Sequence, residues 1–241
     1  MTSASTQVRR QSLSVGIATG AYGVSFGALG VASGLDVWQT CALSALMFTG
    51  GSQFAFVGVI GAGGAGLSAI ATATLLGVRN GLYALQVREL LGVRGWRRAV
   101  AAQLTIDEST AVGIAQETDP LARQGFWQTG LAVFVFWNAF TLLGAVLGNA
   151  LGDPRRWGLD AAAAAAFCAL LWPRLHSRPT AVTAAVAVVL TVLVVPRAPA
   201  GIPVLVAGLA AVLVGWSRPA APDDDPGVAP EPGPAPRDGE R

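Results

Sequence analysis

The sequence predicts an all-α fold, a polytopic membrane helix bundle, on three observations. Charge is too scarce for a water-soluble globule, apolar segments recur with punctuation between them, and the first segment carries a stripe of glycines. Of 241 residues, 53% are hydrophobic and 12% charged, against about 25% charged in a typical soluble domain. That leaves too little polar surface to cover a globule in water, so lipid is the alternative solvent. The formal charge of +2 leaves no electrostatic footprint for nucleic acid, and none is expected as a partner. All 16 basic residues are arginine, a compositional bias with no mechanism attached.

A spanning helix needs roughly 20 apolar residues. Apolar segments fall at 13–34, 38–60, 65–86, 99–116, 127–150, 160–173, 180–195 and 201–216. Breaks at Asp36, the Gly61–Gly66 cluster, Arg88–Arg98, Glu117–Arg123, Asp153–Arg156, Arg174–Pro179 and Pro196–Pro199 separate them. This predicts seven or eight hydrophobic segments, the short ones tilted, broken or re-entrant. Residues 1–12 are expected to form a cytoplasmic or flexible N-terminus, 13–216 a transmembrane transporter domain, and 217–241 a disordered tail rich in Pro and Asp. Arg9-Arg10-Gln11-Ser12-Leu13 resembles a twin-arginine signal, but the apolar run after it is longer than a signal h-region of roughly 7–15 residues. Arginines at the N-terminus and at 88–98 both favour the cytoplasm, yet three full crossings would put them on opposite sides. The conflict dissolves if one of the first three segments is re-entrant, with Gly50-Gly51 and the 61–66 glycines as easy places to break.

Gly16, Gly20, Gly23, Gly27, Gly30 and Gly34 alternate in steps of four and three, which makes one stripe along one helix face. Such a groove admits a second backbone in lipid, either as plain tight packing or as the lining of a substrate site. Phe26-x-x-Leu29-Gly30-x-x-x-Gly34 recurs as Phe140-x-x-Leu143-Gly144-x-x-x-Gly148, each followed by a Leu-Asp pair (Leu35-Asp36 and Leu159-Asp160) and an Ala-rich segment. That points to an internal repeat. Cys41 and Cys168 lie in apolar runs without metal-ligand spacing and read as small buried hydrophobes. No metal site and no cofactor are expected.

Charges inside apolar segments each cost at least about 2.5–3.5 kcal/mol at a helix centre, so they mark function. Arg79 lies in the third segment, followed by Asn80 and Tyr83, and Asp107 and Glu108 stand together in the middle of the fourth. Ser52 and Gln53, just after Gly50-Gly51, and Asn138 in the fifth segment complete the candidate substrate-binding or proton-coupling set. Adjacent helical residues point about 100° apart, so one acid can pair with Arg79 while the other faces a cavity. A carboxylate beside an arginine stays ionised, whereas one without a partner in low dielectric can carry a proton. The bland alternatives are an ion pair that only fixes helix register and a late-starting segment that leaves both acids near a surface. Gly50-Gly51-Ser52-Gln53 reads as an unwound point whose half-helix N-terminus favours a substrate carboxylate. A small amino acid with an apolar side chain would fit such a site.

In order, Gly50-Gly51-Ser52-Gln53-Phe54-Ala55, Val78-Arg79-Asn80-Gly81-Leu82-Tyr83, Asp107-Glu108-Ser109 and Gly158-Leu159-Asp160 resemble the AzlC family over about residues 12–215. That resemblance implies a large subunit of a two-component exporter of branched-chain amino acids or methionine, driven by the proton gradient. It also implies a small membrane partner of the AzlD type and a multi-pass place in the bacterial cytoplasmic membrane. The family pattern leads one to expect Asn at 77 and Thr at 106; this chain has Gly77 and Ile106.

Other classes fit less well. A channel or facilitator for a small polar solute needs no obligatory carboxylate. An enzyme is not expected: the two acids are adjacent on one helix, and no zinc motif, nucleophile elbow or phosphate loop occurs. A non-transporting membrane subunit would rest on the glycine stripe alone.

Overall fold

The structure, a computed structural model, describes residues 3–151, 168, 171–172, 175 and 178–216. The described residues are helical with no strand: α1 Ser3–Ala32, α2 Val37–Leu46, α3 Gly51–Gly61, α4 Gly66–Leu91, α5 Trp96–Gln103, α6 Asp107–Ile114, α7 Asp119–Leu151, α8 Arg178–Val194 and α9 Ile202–Trp216. Of these, α1 and α7 are long and apolar enough to cross a membrane by length and composition. The tail 217–241, the second Leu-Asp pair and most of the segment expected at 160–173 lie outside the described residues.

α1 and α7 form the spine, side by side and parallel. Ser5 donates to Gln124 at 2.9 Å near the start of both helices, and Thr129 donates to Ser12 at 2.9 Å one to two turns on. A Cβ on Gly16 would come within 2.6 Å of Ala132, and one on Gly20 within 2.5 Å of Phe136. Further along, Gly23 faces the backbone of Trp137, Gly27 that of Thr141, and in return Gly144 faces Val24 and Gly148 faces Ala28. Gly16, Gly20, Gly23 and Gly27 of α1 and Gly144 and Gly148 of α7 are therefore the two sides of one interlock. Glycine is required because backbone meets backbone, and dispersion contacts between closely packed helices stabilise the pair where no hydrophobic effect operates. Gly30 packs on Thr40 of α2, whereas Gly34 leaves the stripe. The helix ends at Ala32, and Gly34 turns the chain with φ +94° in open space. Residues 3–12, expected to precede the helix, are its first turns, with Val8 and Ser12 buried.

Two of the apolar segments turn back inside the bundle. Asp36 caps α2 by accepting from the Gln39 N–H at 2.7 Å, and the Gln39 side chain accepts from the Asp36 N–H at 2.9 Å. α2 then runs inward to a break at residues 47–50, where Phe48 meets Phe134 at 5.0 Å and Gly50 faces the Trp137 ring, half-way along α7. α3 returns to the starting end, since a Cβ on Gly61 would lie 2.6 Å from Ser33 Oγ. The second hairpin enters from the other end. α5 leads inward to Leu104, packed on Gly130, and α6 leads back until Gly113 packs on Phe126 and Gln116 reaches Gln11 at 3.4 Å. Between them α4 runs opposite to α1: Thr72 lies near Gly201, Asn80 at mid-depth against Thr105, and Val87 and Leu91 with Ala101 and Phe126. A long helix plus a hairpin thus occurs twice, in opposite orientations, the arrangement of an inverted-topology repeat. It is a different pairing from the one the shared glycine motif suggests, whose second Leu-Asp pair and most of whose Ala-rich segment lie outside the described residues.

The orientation conflict disappears with the first hairpin. Arg9, Arg10, Arg88, Arg94, Arg97, Arg98 and Arg123 all gather at the end where α1 begins, while Arg197 lies in the turn between α8 and α9, whose Gly201 meets Val59 and Ser68 at the opposite end. Cys41 is half-buried and Cys168 exposed, so neither is the buried hydrophobe expected.

Two outcomes test this fold. With both native cysteines replaced by serine, single cysteines at Gln7 and Arg94 are expected to react with a membrane-impermeant maleimide from the same side of the membrane, and one at Ala62 from the other. Gly20→Leu is expected to lower stability in detergent by about 1–3 kcal/mol or more, as overpacking does. Gly58→Ala, where a Cβ meets open space, is expected to leave the thermal midpoint unchanged.

Candidate functional site

A helix that stops inside a bundle leaves N–H and C=O groups without intrahelical partners. Here both breaks lie at mid-depth, and side chains from several elements supply the partners. At the end of α2, Gln53 donates to the carbonyls of Leu43 (3.3 Å) and Ser44 (3.0 Å). Gln103, the last residue of α5, donates to Ala45 O at 2.7 Å, joining the two hairpin tips. At the second break Ser109 Oγ lies 2.6 Å from Leu104 O and accepts from the Ile106 N–H at 3.1 Å. Gln53 and Ser109 are each the third residue of the returning half-helix, so the two hairpins close their breaks from the same position. Ile106, where threonine was expected, has no oxygen to cap α6 and is buried in the apolar core; Ser109 does part of that work.

Arg79 meets Asp107 at 3.2 Å, with their side chains 34% and 28% exposed. Asn80 donates to Thr105 O at 3.2 Å. Gly77 faces Ser52 Oγ, which accepts from Thr49 at 2.7 Å. The middle of α4 therefore touches both breaks. Asp107 and Glu108 are the first two residues of α6 and not the middle of a continuous span, because the fourth segment breaks at Leu104–Ile106. That position suits them, since the N-terminal helix dipole favours negative charge. The Glu108 carboxyl lies close enough to Asp107 and Arg79 to feel both charges.

The aromatic wall beside these groups comes from Phe26, Phe54 and Trp137, with Phe26–Phe54 centroids 5.7 Å apart edge to face and Phe26–Trp137 6.1 Å apart in a stack. Gly50 has φ +22° and faces the Trp137 ring at 3.7 Å, so the tip needs glycine for its backbone. Gln53 Oε1, Asn80 Oδ1 and Trp137 Nε1 are buried without a hydrogen-bond partner among the described residues. They offer two acceptors and one donor close to the breaks.

Of the expected site residues, Ser52, Gln53, Arg79, Asn80, Asp107 and Glu108 come together at or beside the two breaks. Tyr83 is half-buried one turn beyond Arg79 on α4. Asn138 does not join: its amide donates to Phe134 O of its own helix at 2.8 Å. The sequence reading missed Gln103, Thr105, Ser109 and Trp137 as site residues. Gln103, Thr105 and Ser109 carry a signal, as polar residues flanking Leu104 in an apolar segment; Trp137 carries none.

Residues 14–151, more than half of the 241, match the AzlC protein family. The chain belongs to the AzlC family. The matched span runs from α1 to the end of α7, so it contains the interlock, both hairpins and every candidate residue. Membership together with the apolar helices makes this a membrane protein with a function in membrane transport, in a family generally associated with a partner subunit. No curated protein and no solved structure matches the chain.

Replacing Gln103 by leucine would leave Ala45 O unsatisfied, which is expected to cost about 1–3 kcal/mol. A drop in the thermal midpoint for Gln103→Leu, with none for Gln86→Leu on the exposed face of α4, is the expected pattern. Because the Arg79–Asp107 pair is partly exposed, its loss is expected to cost less than the about 3–5 kcal/mol of a fully buried pair. The neutral double variant Arg79→Gln/Asp107→Asn is expected to be more stable than Arg79→Gln alone.

Proposed function

We propose that this AzlC-family chain is the large subunit of a secondary transporter that exports branched-chain amino acids, or methionine, across the bacterial cytoplasmic membrane. Export is coupled to proton entry and needs a small AzlD-type membrane subunit. The observation that carries the reading is the meeting of two oppositely directed helix hairpins at mid-depth, with Arg79, Asp107 and Glu108 at the junction. The arginine-rich end is assigned to the cytoplasm.

Each substrate group has a counterpart in the chain. The half-helix N-terminus of α3 has no side-chain cap, which suits a carboxylate. Gln53 Oε1 and Asn80 Oδ1 are acceptors for an ammonium group, with the two acids behind them. Phe26, Phe54 and Trp137 suit a branched or thioether side chain. One arginine serves two carboxyls, so Asp107 holds Arg79 while Glu108 is the group assigned to proton exchange. Alternating access would part the tips by breaking the Gln103–Ala45 hydrogen bond, then remake it from the other side. The assignment is to a carrier and not to an enzyme.

Efflux of radiolabelled leucine and valine from preloaded cells tests this. Saturable efflux that requires the small partner and a proton gradient is expected. Asp107→Asn/Glu108→Gln is expected to reduce it at least tenfold with the protein still present in the membrane. Unchanged efflux in that variant would remove the two acids from the mechanism, and flux that never saturates would indicate a channel.

A further inference from the structure

α4 and α5 diverge from the short turn at 92–95, which two left-handed glycines bend sharply, Gly92 at φ +58° and Gly95 at φ +59°. Between them lies a cleft of about 180 Å³. Its inner wall is apolar and tightly packed, with Val87 2%, Leu91 8% and Ala101 5% exposed. Arg88 and Arg98 line the same cleft, one from each helix. Among the described residues neither guanidinium has a carboxylate partner. Trp96, 74% exposed at the start of α5, is of the kind that rests at headgroup level.

An apolar slot flanked by two free arginines, at the end of the bundle where seven arginines gather, has the chemistry of a phospholipid with an anionic headgroup. The slot takes the upper part of an acyl chain, and the paired guanidiniums take the phosphate by bidentate hydrogen bonds. A soluble phosphate would use only the arginines and would leave the apolar wall in contact with water. Basic pockets between helices on the cytoplasmic side are where anionic headgroups bind in membrane proteins generally. We infer that the cleft between α4 and α5 is a binding site for an anionic phospholipid, held by Arg88 and Arg98. Because α4 carries Arg79 and Asn80 and α5 ends at Gln103, a lipid wedged between them bears on the spacing of the second hairpin.

The full-length chain in detergent, titrated with phosphatidylglycerol and separately with phosphatidylcholine, tests the site by native mass spectrometry of retained lipid. Phosphatidylglycerol is expected to bind preferentially. Arg88→Gln/Arg98→Gln is expected to weaken it at least about tenfold, through loss of charge-assisted hydrogen bonds to the phosphate. Arg94→Gln/Arg97→Gln makes the same change in net charge outside the cleft and is expected to weaken it less than threefold. Ala102→Leu, which fills the slot with both arginines intact, is expected to lower retention as well. Equal losses in the two arginine pairs would overturn the site in favour of diffuse attraction. Competition by soluble glycerol phosphate at the same concentration as the lipid, or retention unaffected by Ala102→Leu, would overturn the lipid in favour of a plain anion site.

Discussion

The rest of the structure depends on one constraint: a helix interrupted in an apolar interior must find partners for the backbone groups that the interruption frees. In lipid such a group has no water to turn to, and each one left unsatisfied costs several kcal/mol. The chain meets this with amides and hydroxyls at fixed places. Gln53 and Ser109 close their own hairpins, and Gln103 crosses from one hairpin to the other. Asn80 reaches in from α4 to Thr105. These side chains therefore cannot be exchanged for apolar ones of similar size, although most of their surroundings are apolar.

The spine makes that solution possible. α1 and α7 approach so closely that four glycines of α1 and two of α7 face backbone or β-carbon atoms of the partner helix. This contact is rigid because interlocked small residues leave no side chain free to adjust. It holds Phe26 and Trp137 in a stack at mid-depth and presents them to Gly50 and Phe54 at the first tip. The second tip rests on Gly130 and Val133 of the same helix. A closely packed spine with two hairpins leaning on it would, on the proposed reading, separate the part of an alternating-access carrier that stays still from the part that moves.

Much of this was legible in the residues. The glycine stripe predicted a close helix contact, and Gly50-Gly51 marked a break, because glycine has few other reasons to stand in pairs inside an apolar run. Arg79 and the two acids stood out by their cost in lipid. Other features were hidden for physical reasons. The second break carries no glycine or proline, being made by Leu104-Thr105-Ile106, so composition gave no sign of it. The motif shared by α1 and α7 serves different contacts in its two copies: Gly144 and Gly148 meet α1, whereas Gly30 meets α2 and Gly34 turns the chain. The repeat of long helix plus hairpin leaves little sequence trace because opposite orientation exchanges which faces meet lipid. Asn138 misled for a simpler reason: a polar side chain in a helix can satisfy itself on the carbonyl four residues back.

Charge at the junction connects the geometry to the proposed exchange. Arg79 contributes one positive charge and the α6 N-terminus about half of one, against two carboxyl groups at its first two positions. With both carboxyls ionised the cluster is left slightly negative in a region that screens poorly. In the proposed mechanism that negative excess is removed by one cation, either a proton or the ammonium group of an amino acid whose carboxylate the α3 N-terminus would hold. On the proposed reading the two cations are therefore alternatives at one cluster, and occupation by one disfavours the other. That mutual exclusion is the thermodynamic core of antiport, and it is what the proposed carrier would use: a proton in one direction and substrate in the other, never both at the cluster together.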